Sequence, residues 1–471
     1  MEHIIQQILR KVGKEITEKI FEDLNDIDLM TEHVKELCVQ AGKDIIVATI
    51  KKLNADLRDD KELRKEKGLV IKEKNRKREL LTAIGLLTFE RDYYYNKLEE
   101  KYETPIDTFL GVPKSHRVGD SVKASLVTAA TSVSYAKSSE KVCDGAVSRQ
   151  SVRNFILEMD TKETPIPDEK KSVKELHLFA DEDHVHMQKP NKAKGKSNKI
   201  VPLVVVTEGI EQVSKSRRRT INAKAFVDEE FKGKDLWKTV EAYITKTYEL
   251  DDLEKIYIHG DGGKWIKNGL ESFSNAIHIM DEFHIEKYIK KLSNAFPGRS
   301  LSQRIHSKIK ANDKSGVDRI LQELYTITDA KDRKRKDKIK EVGEYLLRNW
   351  DAIYYRKTLN IPGSCTEGQV SHILSERFSR NPMGWSVEGL SKLSMDRVYV
   401  LNKGKITSKD FKVKKEKTTR LKEYPDIWDK EILSKNFDWS IFEQTTEPMN
   451  QNSGTQALVH SLGEMKQMRI S

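Results

Sequence analysis

Three acids in this 471-residue chain, Asp181, Asp261 and Glu367, stand where carboxylates can do chemistry. Asp181 follows the alternating apolar residues Leu176, Leu178 and Ala180 in "ELHLFADEDHVHM". Asp261 ends a second alternating run, "KIYIHGDGG", just before two glycines. Glu367 opens a helical segment late in the chain. Each has a plain alternative: Asp-Gly is good turn chemistry, and a glutamate at a helix start complements the helix dipole. Taken together they point elsewhere. Carboxylates held side by side repel, so such a pair is unfavourable unless a cation neutralises it. Magnesium takes oxygen ligands and needs only a few carboxylates plus water. Two ions of Mg2+ or Mn2+ in one site would serve phosphodiester displacement, activating the attacking oxygen and stabilising the departing one. Glu367 is the candidate for the third acid of such a cage. Asp183 shares a strand face with Asp181 and is the alternative first acid; Glu376 is the alternative third. Gly262 and Gly263 would let a DNA backbone approach closely.

The histidines divide. His284 follows Asp281 by three residues in "DEFHIEKY", which places both on one helical face. The pair suits either a packed core or a supporting role beside a phosphodiester. His177, His184 and His186 are close in sequence, but they do not share one strand face and no cysteine completes a zinc site.

The elements that must position these residues form a pattern. Alternating runs at "ELHLFADEDHVHM", "VPLVVVTEG" and "INAKAFVDE" predict three strands. A helix, a fourth strand at "KIYIHGDGG", a helix, a fifth strand at "AIHIM" and another helix follow. The order predicts an α/β core with a mixed sheet flanked by helices, spanning 172–290 and 356–400. A charged all-α segment, 291–355, interrupts it. Residues 1–68 read as helical and a possible dimerisation region. Residues 69–165 read as a DNA-binding region, with a hairpin divided at Gly85 and helices resembling a helix-turn-helix. The second of these helices, capped by Ser148, would present Arg149, Gln150, Arg153 and Asn154 to DNA. Residues 401–471 form a basic tail. Basic stretches at Arg76–Arg78, Arg217, Arg218 and Arg219, and Lys331–Lys340 suit phosphates. Arg377, Arg380 and Trp385 lie in the basic, aromatic-containing "SERFSRNPMGWS". Trp385 suits either stacking on a displaced base or a core position.

Composition agrees. The formal net charge of +11 and the pI near 9.1 favour a polyanionic partner. Three dispersed cysteines form neither a disulfide framework nor a zinc pattern. The first 20 residues carry charges through their apolar positions, unlike a signal peptide. No run approaches the roughly 20 apolar residues of a membrane span. The expectation is a soluble cytoplasmic, nucleoid-associated protein with no membrane role.

The set "ADEDHVHMQ", "IYIHGDGGKWI", "DEFHIEKYI" and "CTEGQVSHILSERFSRNPMGWS" resembles bacterial insertion-sequence transposases of the ISLre type, relatives of the mutator-like DDE transposases, over roughly residues 70–400. The resemblance implies an RNase H-like core with an acidic triad and a helical insertion before the last acid. Asp181, Asp261 and Glu367 match the triad; Asp281 and His284 match the acid-x-x-His pair. Implied with it are metal-dependent cleavage of insertion-sequence ends, strand transfer to target double-stranded DNA, and a homodimer or higher oligomer on DNA. Alternatives are an RNase H-like nuclease or resolvase without strand transfer, and a non-catalytic DNA-binding protein from a decayed element.

Overall fold

The structure, a computed structural model, describes residues 2–160, 162–188, 198–214, 218–359, 361, 365–381 and 383–411. Arg217 and the tail beyond 411 lie outside the described residues. Two compact units divide between Val122 and Lys123.

The first unit opens with α1 (Glu2–Glu22), α2 (Ile27–Asp59) and α3 (Lys61–Glu66). Asp26 caps α2, its carboxylate accepting from the Leu29 N–H at 3.0 Å. The charged run that follows is a strand, β1 (Leu69–Thr82), paired antiparallel with β2 (Gly85–Asn96), which pairs with β3 (Lys101–Glu103). The hairpin turns at Gly85, as its apolar flanks predict. Alternation drives one face inward: Leu87 and Phe89 pack on Ile50, Leu53 and Leu57 of α2. Buried acids here are paired. Asp92 accepts from Arg58 Nε at 2.7 Å, and Asp107 from Arg78 and Arg91 at 2.8 Å each. Arg78, predicted to meet a DNA phosphate, is therefore engaged internally. Two short helices, α4 (Pro105–Phe109) and α5 (Asp120–Ala130), lead into the second unit.

That unit begins with α6 (Tyr135–Cys143) and α7 (Arg149–Glu158), which fall with the sheet and not with the hairpin. The break between them is the predicted one: Asp144 and Gly145 take positive φ, 49° and 77°. The Ser148 hydroxyl accepts from the Ser151 N–H at 3.1 Å. Inside the turn, the Ser139 hydroxyl donates to the Val147 carbonyl at 2.6 Å.

The sheet follows: β4 (Glu175–His186), β5 (Asn198–Thr207), β6 (Gly209–Gln212), β7 (Arg218–Ile221), β8 (Lys224–Phe226), α8 (Gly233–Thr247), β9 (Lys255–Gly260), α9 (Lys264–Lys267), α10 (Gly269–Ser272) and β10 (Ala276–Met280). Five strands lie in the order β10-β9-β4-β5-β8, with β4, β9 and β10 parallel and β5 antiparallel to both neighbours. This is the predicted mixed α/β sheet with one difference. The run predicted as a single third strand breaks at Asn222, whose φ is 51°. The end of the basic stretch before it, predicted as a loop, forms β7 with Ile221 and pairs with β6 in a separate ribbon; of the run itself only β8 enters the sheet. Leu236, Val240 and Ile244 of α8 cover one face, against Leu176, Leu178, Ile256 and Ile258.

The predicted all-α segment 291–355 holds α12 (Leu301–Lys310), α13 (Lys314–Ile327), α14 (Arg333–Arg348) and most of α15 (Trp350–Thr358), and α11 (Glu282–Ala295), predicted as a helix of the core, packs with them. These helices share a core built from Ile289, Ile305, Val317, Val342, Leu346 and Ile353. The chain then forms α16 (Thr366–Val370), a π-turn (Ser371–Ser375), α17 (Glu376–Phe378) and α18 (Val387–Leu401). Among the described residues no helix is long and apolar enough to cross a membrane.

Candidate functional site

The site forms where the parallel strand β9 ends beside the middle of β4. Phe179 is the register partner of His259. Two residues further on, Asp181 lies within β4 and Asp261 in the turn just beyond the end of β9. The sequence supplies each strand by alternation, and only the strand order makes them neighbours.

The electrostatics show how closely the acids are associated. Burial pushes the Asp181 carboxyl up to about 7. The Glu182 N–H, donating to it at 2.8 Å, acts against the rise. Asp261, Glu367 and Asp281 each raise it further. Four acids, three of them the predicted triad, therefore share one field. Asp261 accepts from the Gly263 N–H at 2.8 Å, which closes the turn beyond the strand. Glu367 is exposed in the first turn of α16.

Asp281 caps α11, accepting from the Phe283 N–H at 3.1 Å. Its own N–H donates to the Gly260 carbonyl at 3.0 Å, which ties it to the tip of β9. Burial raises its carboxyl, against the Phe283 N–H, His284 and Arg356. Asp281 Oδ2 and His284 Nδ1 lie 3.9 Å apart, both buried and without a hydrogen-bond partner. The predicted pair is thus brought together, though Asp281 is the helix cap and not a residue of the helix.

The alternatives are placed elsewhere. Asp183 accepts from the Ser379 hydroxyl at 2.8 Å, and Glu376 is exposed and lies 3.9 Å from Arg397. His177 is buried 3.0 Å from His259 Nε2, while His184 and His186 are exposed. Among the described residues, no group of three or more His, Cys, Asp or Glu is gathered closely enough to hold a metal ion. The triad acids share a field without a common ligand geometry. Asp181 and Asp261 still suit a hard cation by donor type. Magnesium is commonly held by one or two carboxylates, with phosphate oxygens and water completing its shell. A proton on Asp181 relieves the charge that such a cation would otherwise neutralise.

The DNA-facing candidates divide. Arg149, Gln150 and Asn154 are exposed on α7, and Arg153 is half-buried, 3.8 Å from Glu388. Arg218, Arg219 and Arg380 are exposed. Arg219 already pairs with Glu211 at 2.7 Å. Arg377 and Trp385 are buried against each other, the guanidinium 4.9 Å from the ring centre. Arg377 donates to the Ala130 carbonyl and Trp385 to that of Phe378. Both pack the core, so neither presents the open surface that a phosphate or a base requires. Gly262 also differs from expectation. It is buried with φ +84°, and a Cβ there would meet Asn349 Oδ1 at 2.8 Å, so a protein side chain occupies the room reserved for DNA.

Three residues beside the site have no local signal. Tyr345 and Asn349 come from the helical insertion, and Trp265 donates to Glu182 at 2.8 Å. A tyrosine and an asparagine in a charged helical stretch look like any others. Only the packing of α14 on the loop after β9 identifies them.

Comparison with known proteins gives the family. A UPF0236 protein of Caldanaerobacter subterraneus subsp. tengcongensis is 36% identical over 423 residues, 88% of this chain and 87% of the relative. A second from that organism is 36% identical over 404 residues, 84% of each. A UPF0236 protein in vanSb 3'region of Streptococcus gallolyticus is 22% identical over 338 residues, 67% of this chain and 71% of the relative. Among solved structures, the Drosophila P element transposase strand transfer complex is matched over 61% of this chain and 82% of that chain. Its 11% identity and TM-score of 0.22 are too low to carry an argument about the fold. The model of the uncharacterised protein family UPF0236 matches residues 4–417, and the chain belongs to that family.

Proposed function

We propose that the protein is a DDE-type DNA transposase that cuts insertion-sequence ends and joins the exposed 3′ hydroxyl to target DNA. The observation that carries this reading is the approach of Asp181, within β4, and Asp261, just past the end of the neighbouring strand β9, in one field with Glu367 and Asp281. The sheet supports it. Numbered along the chain, its five strands run 3-2-1-4-5, with the second antiparallel to the first and the fourth and fifth parallel to it. That order is compatible with the RNase H-like core that the sequence resemblance implies. The name of the Caldanaerobacter relative that matches over 423 residues joins eleven gene designations. We read this as one sequence at eleven genomic places, the copy number that a self-mobilising element produces.

Mg2+ or Mn2+, two ions per site, would supply Lewis-acid activation of water and of the leaving 3′ oxygen. Asp181 and Asp261 would hold the ions, with Glu367 of α16 as the third acid. His284, 3.9 Å from Asp281, would act as a supporting group for the attacking water. Arg149, Gln150 and Asn154 face the DNA from α7, with Arg218 and Arg380 at phosphates.

The test incubates the full chain with DNA from the flanks of its own reading frame and Mg2+. Asp181→Asn, Asp261→Asn and Glu367→Gln are run in parallel. Nicked ends and strand-transfer product from the parent, reduced at least about 1000-fold in the first two variants, are expected. Cleavage without joined product assigns a nuclease or resolvase. DNA binding indifferent to Asp261→Asn, with no cleavage under either metal, assigns a non-catalytic DNA-binding protein.

A further inference from the structure

The loop that carries Asp261 is fastened from outside the sheet. The Tyr345 hydroxyl lies 3.3 Å from the Asp261 carbonyl oxygen and 3.1 Å from Met280 Sδ. Its ring stacks on Tyr288 of α11, with centroids 3.8 Å apart and planes within 10°. Burial, then the charges of Asp261, Tyr288 and Asp281, keep the phenol protonated by pushing its pKa up. One turn further along, Asn349 is 3% exposed. Its Nδ2 donates to the Tyr345 carbonyl at 3.0 Å. Its Oδ1 accepts from Lys267 Nζ at 2.8 Å and fills the space over Gly262. The loop from Asp261 to Lys267 is therefore held at both ends by the junction of α14 and α15.

We propose that Tyr345 and Asn349 are positioning residues for Asp261, through which the helical insertion sets that carboxylate against Asp181. The inference rests on the reading of Asp261 as a cation ligand. A strand-end loop of small residues has many conformations, and a carboxylate contributes to a cation site only in the few that face its partner. Fixing the loop's carbonyl and its glycine restricts it to those few, so the fastening appears as cation affinity. The two residues reach the site through hydrogen bonds to backbone and to Lys267, and neither is placed to touch substrate. The insertion thus becomes part of the site's construction as well as a separate packed layer.

The test uses the full-length protein and Mn2+ alone, reading melting temperature against Mn2+ concentration. The parent should be stabilised by Mn2+, and Asp261→Asn should abolish the response. Tyr345→Phe keeps the ring stack and removes only the hydroxyl. It should raise the half-saturating Mn2+ concentration about 3- to 10-fold, with the metal-free melting temperature within about 2 °C of the parent. Asn349→Ala should raise the Mn2+ midpoint at least as far, and Asn349→Asp, which keeps an acceptor for Lys267, should recover part of the loss. A lower metal-free melting temperature with an unchanged Mn2+ midpoint would show that both residues merely pack the insertion, and would overturn the inference alone. A parent that does not respond to Mn2+, or responds equally with Asp261→Asn, would overturn the reading of Asp261 as a ligand and the inference with it.

Discussion

Asp92 in the first unit and Asp181 in the second are both carboxylates withdrawn into the fold, and they resolve the same problem in opposite ways. Burial pushes both upward. At Asp92 the push is overcome by Arg58, the Asn75 N–H and Asn54, so the group settles below the usual carboxylate range. At Asp181 one backbone N–H opposes it, and three further acids add to it. The first is a closed ion pair that holds a helix on a hairpin. The second is a cluster of acids without a cationic partner, which the fold tolerates at a stability cost. Pairing, more than burial, separates the two acids.

That contrast can be broken or sharpened by substitution. The largest effect is expected at Arg58→Ala, which strands Asp92. It should lose about 3 kcal/mol in urea unfolding, with Asp92→Asn in the same background recovering part. An unchanged midpoint would mean that the pair is inert and the comparison empty. Asp181→Asn should do the reverse, gaining about 1–2 kcal/mol at pH 8 with metal chelated. The folded chain holds the Asp181 proton more tightly than the unfolded chain, so its stability falls as pH climbs from about 4 to about 7. The gain should therefore vanish near pH 4, and a gain that is flat with pH would sink the electrostatic account.

Asp396 of α18 separates burial from clustering. It is 4% exposed, and its Oδ2 has no hydrogen-bond partner. Burial alone drives it to about 7, against Lys392 and Lys162. Asp396→Asn should gain about 1 kcal/mol at pH 8 without altering DNA cleavage. Loss of cleavage there would place Asp396 in the functional site. The smallest effect concerns the arginines, with Arg58, Arg78 and Arg91 paired in the first unit and Arg149 exposed on α7. Arg149→Gln should weaken DNA binding about 3-fold and reduce the salt slope by about one. An unaltered salt slope would remove α7 from the DNA contact.

The alternation in residues 175–186 and 255–260 reads as strand because side chains project to opposite faces at every second position. A strand ending in Asp-Gly-Gly is equally plain, and so are the helix break at Asp144-Gly145 and the Ser148 cap. These are local signals, carried by neighbours in sequence. The run at 221–229 misled for the same reason, since nothing local shows that Asn222 turns left-handed and leaves only Lys224–Phe226 in the sheet.

What the sequence determined by itself is the inventory: an acid at the end of each of two strands, a third acid after a helical insertion, and an excess of positive charge. Tertiary structure alone decided which of these meet. The order β10-β9-β4-β5-β8 sets Asp181 beside Asp261. The packing of α14 brings Tyr345 and Asn349 to the loop between Asp261 and Lys267. Burial removed Arg377 and Trp385 from the surface where their types suggested them. The physical reason is one of range. Strand, turn and cap preferences act over a few residues. A carboxylate's field and a side chain's exposure depend on groups 80 or more positions away, which only the closed fold brings within a few ångströms.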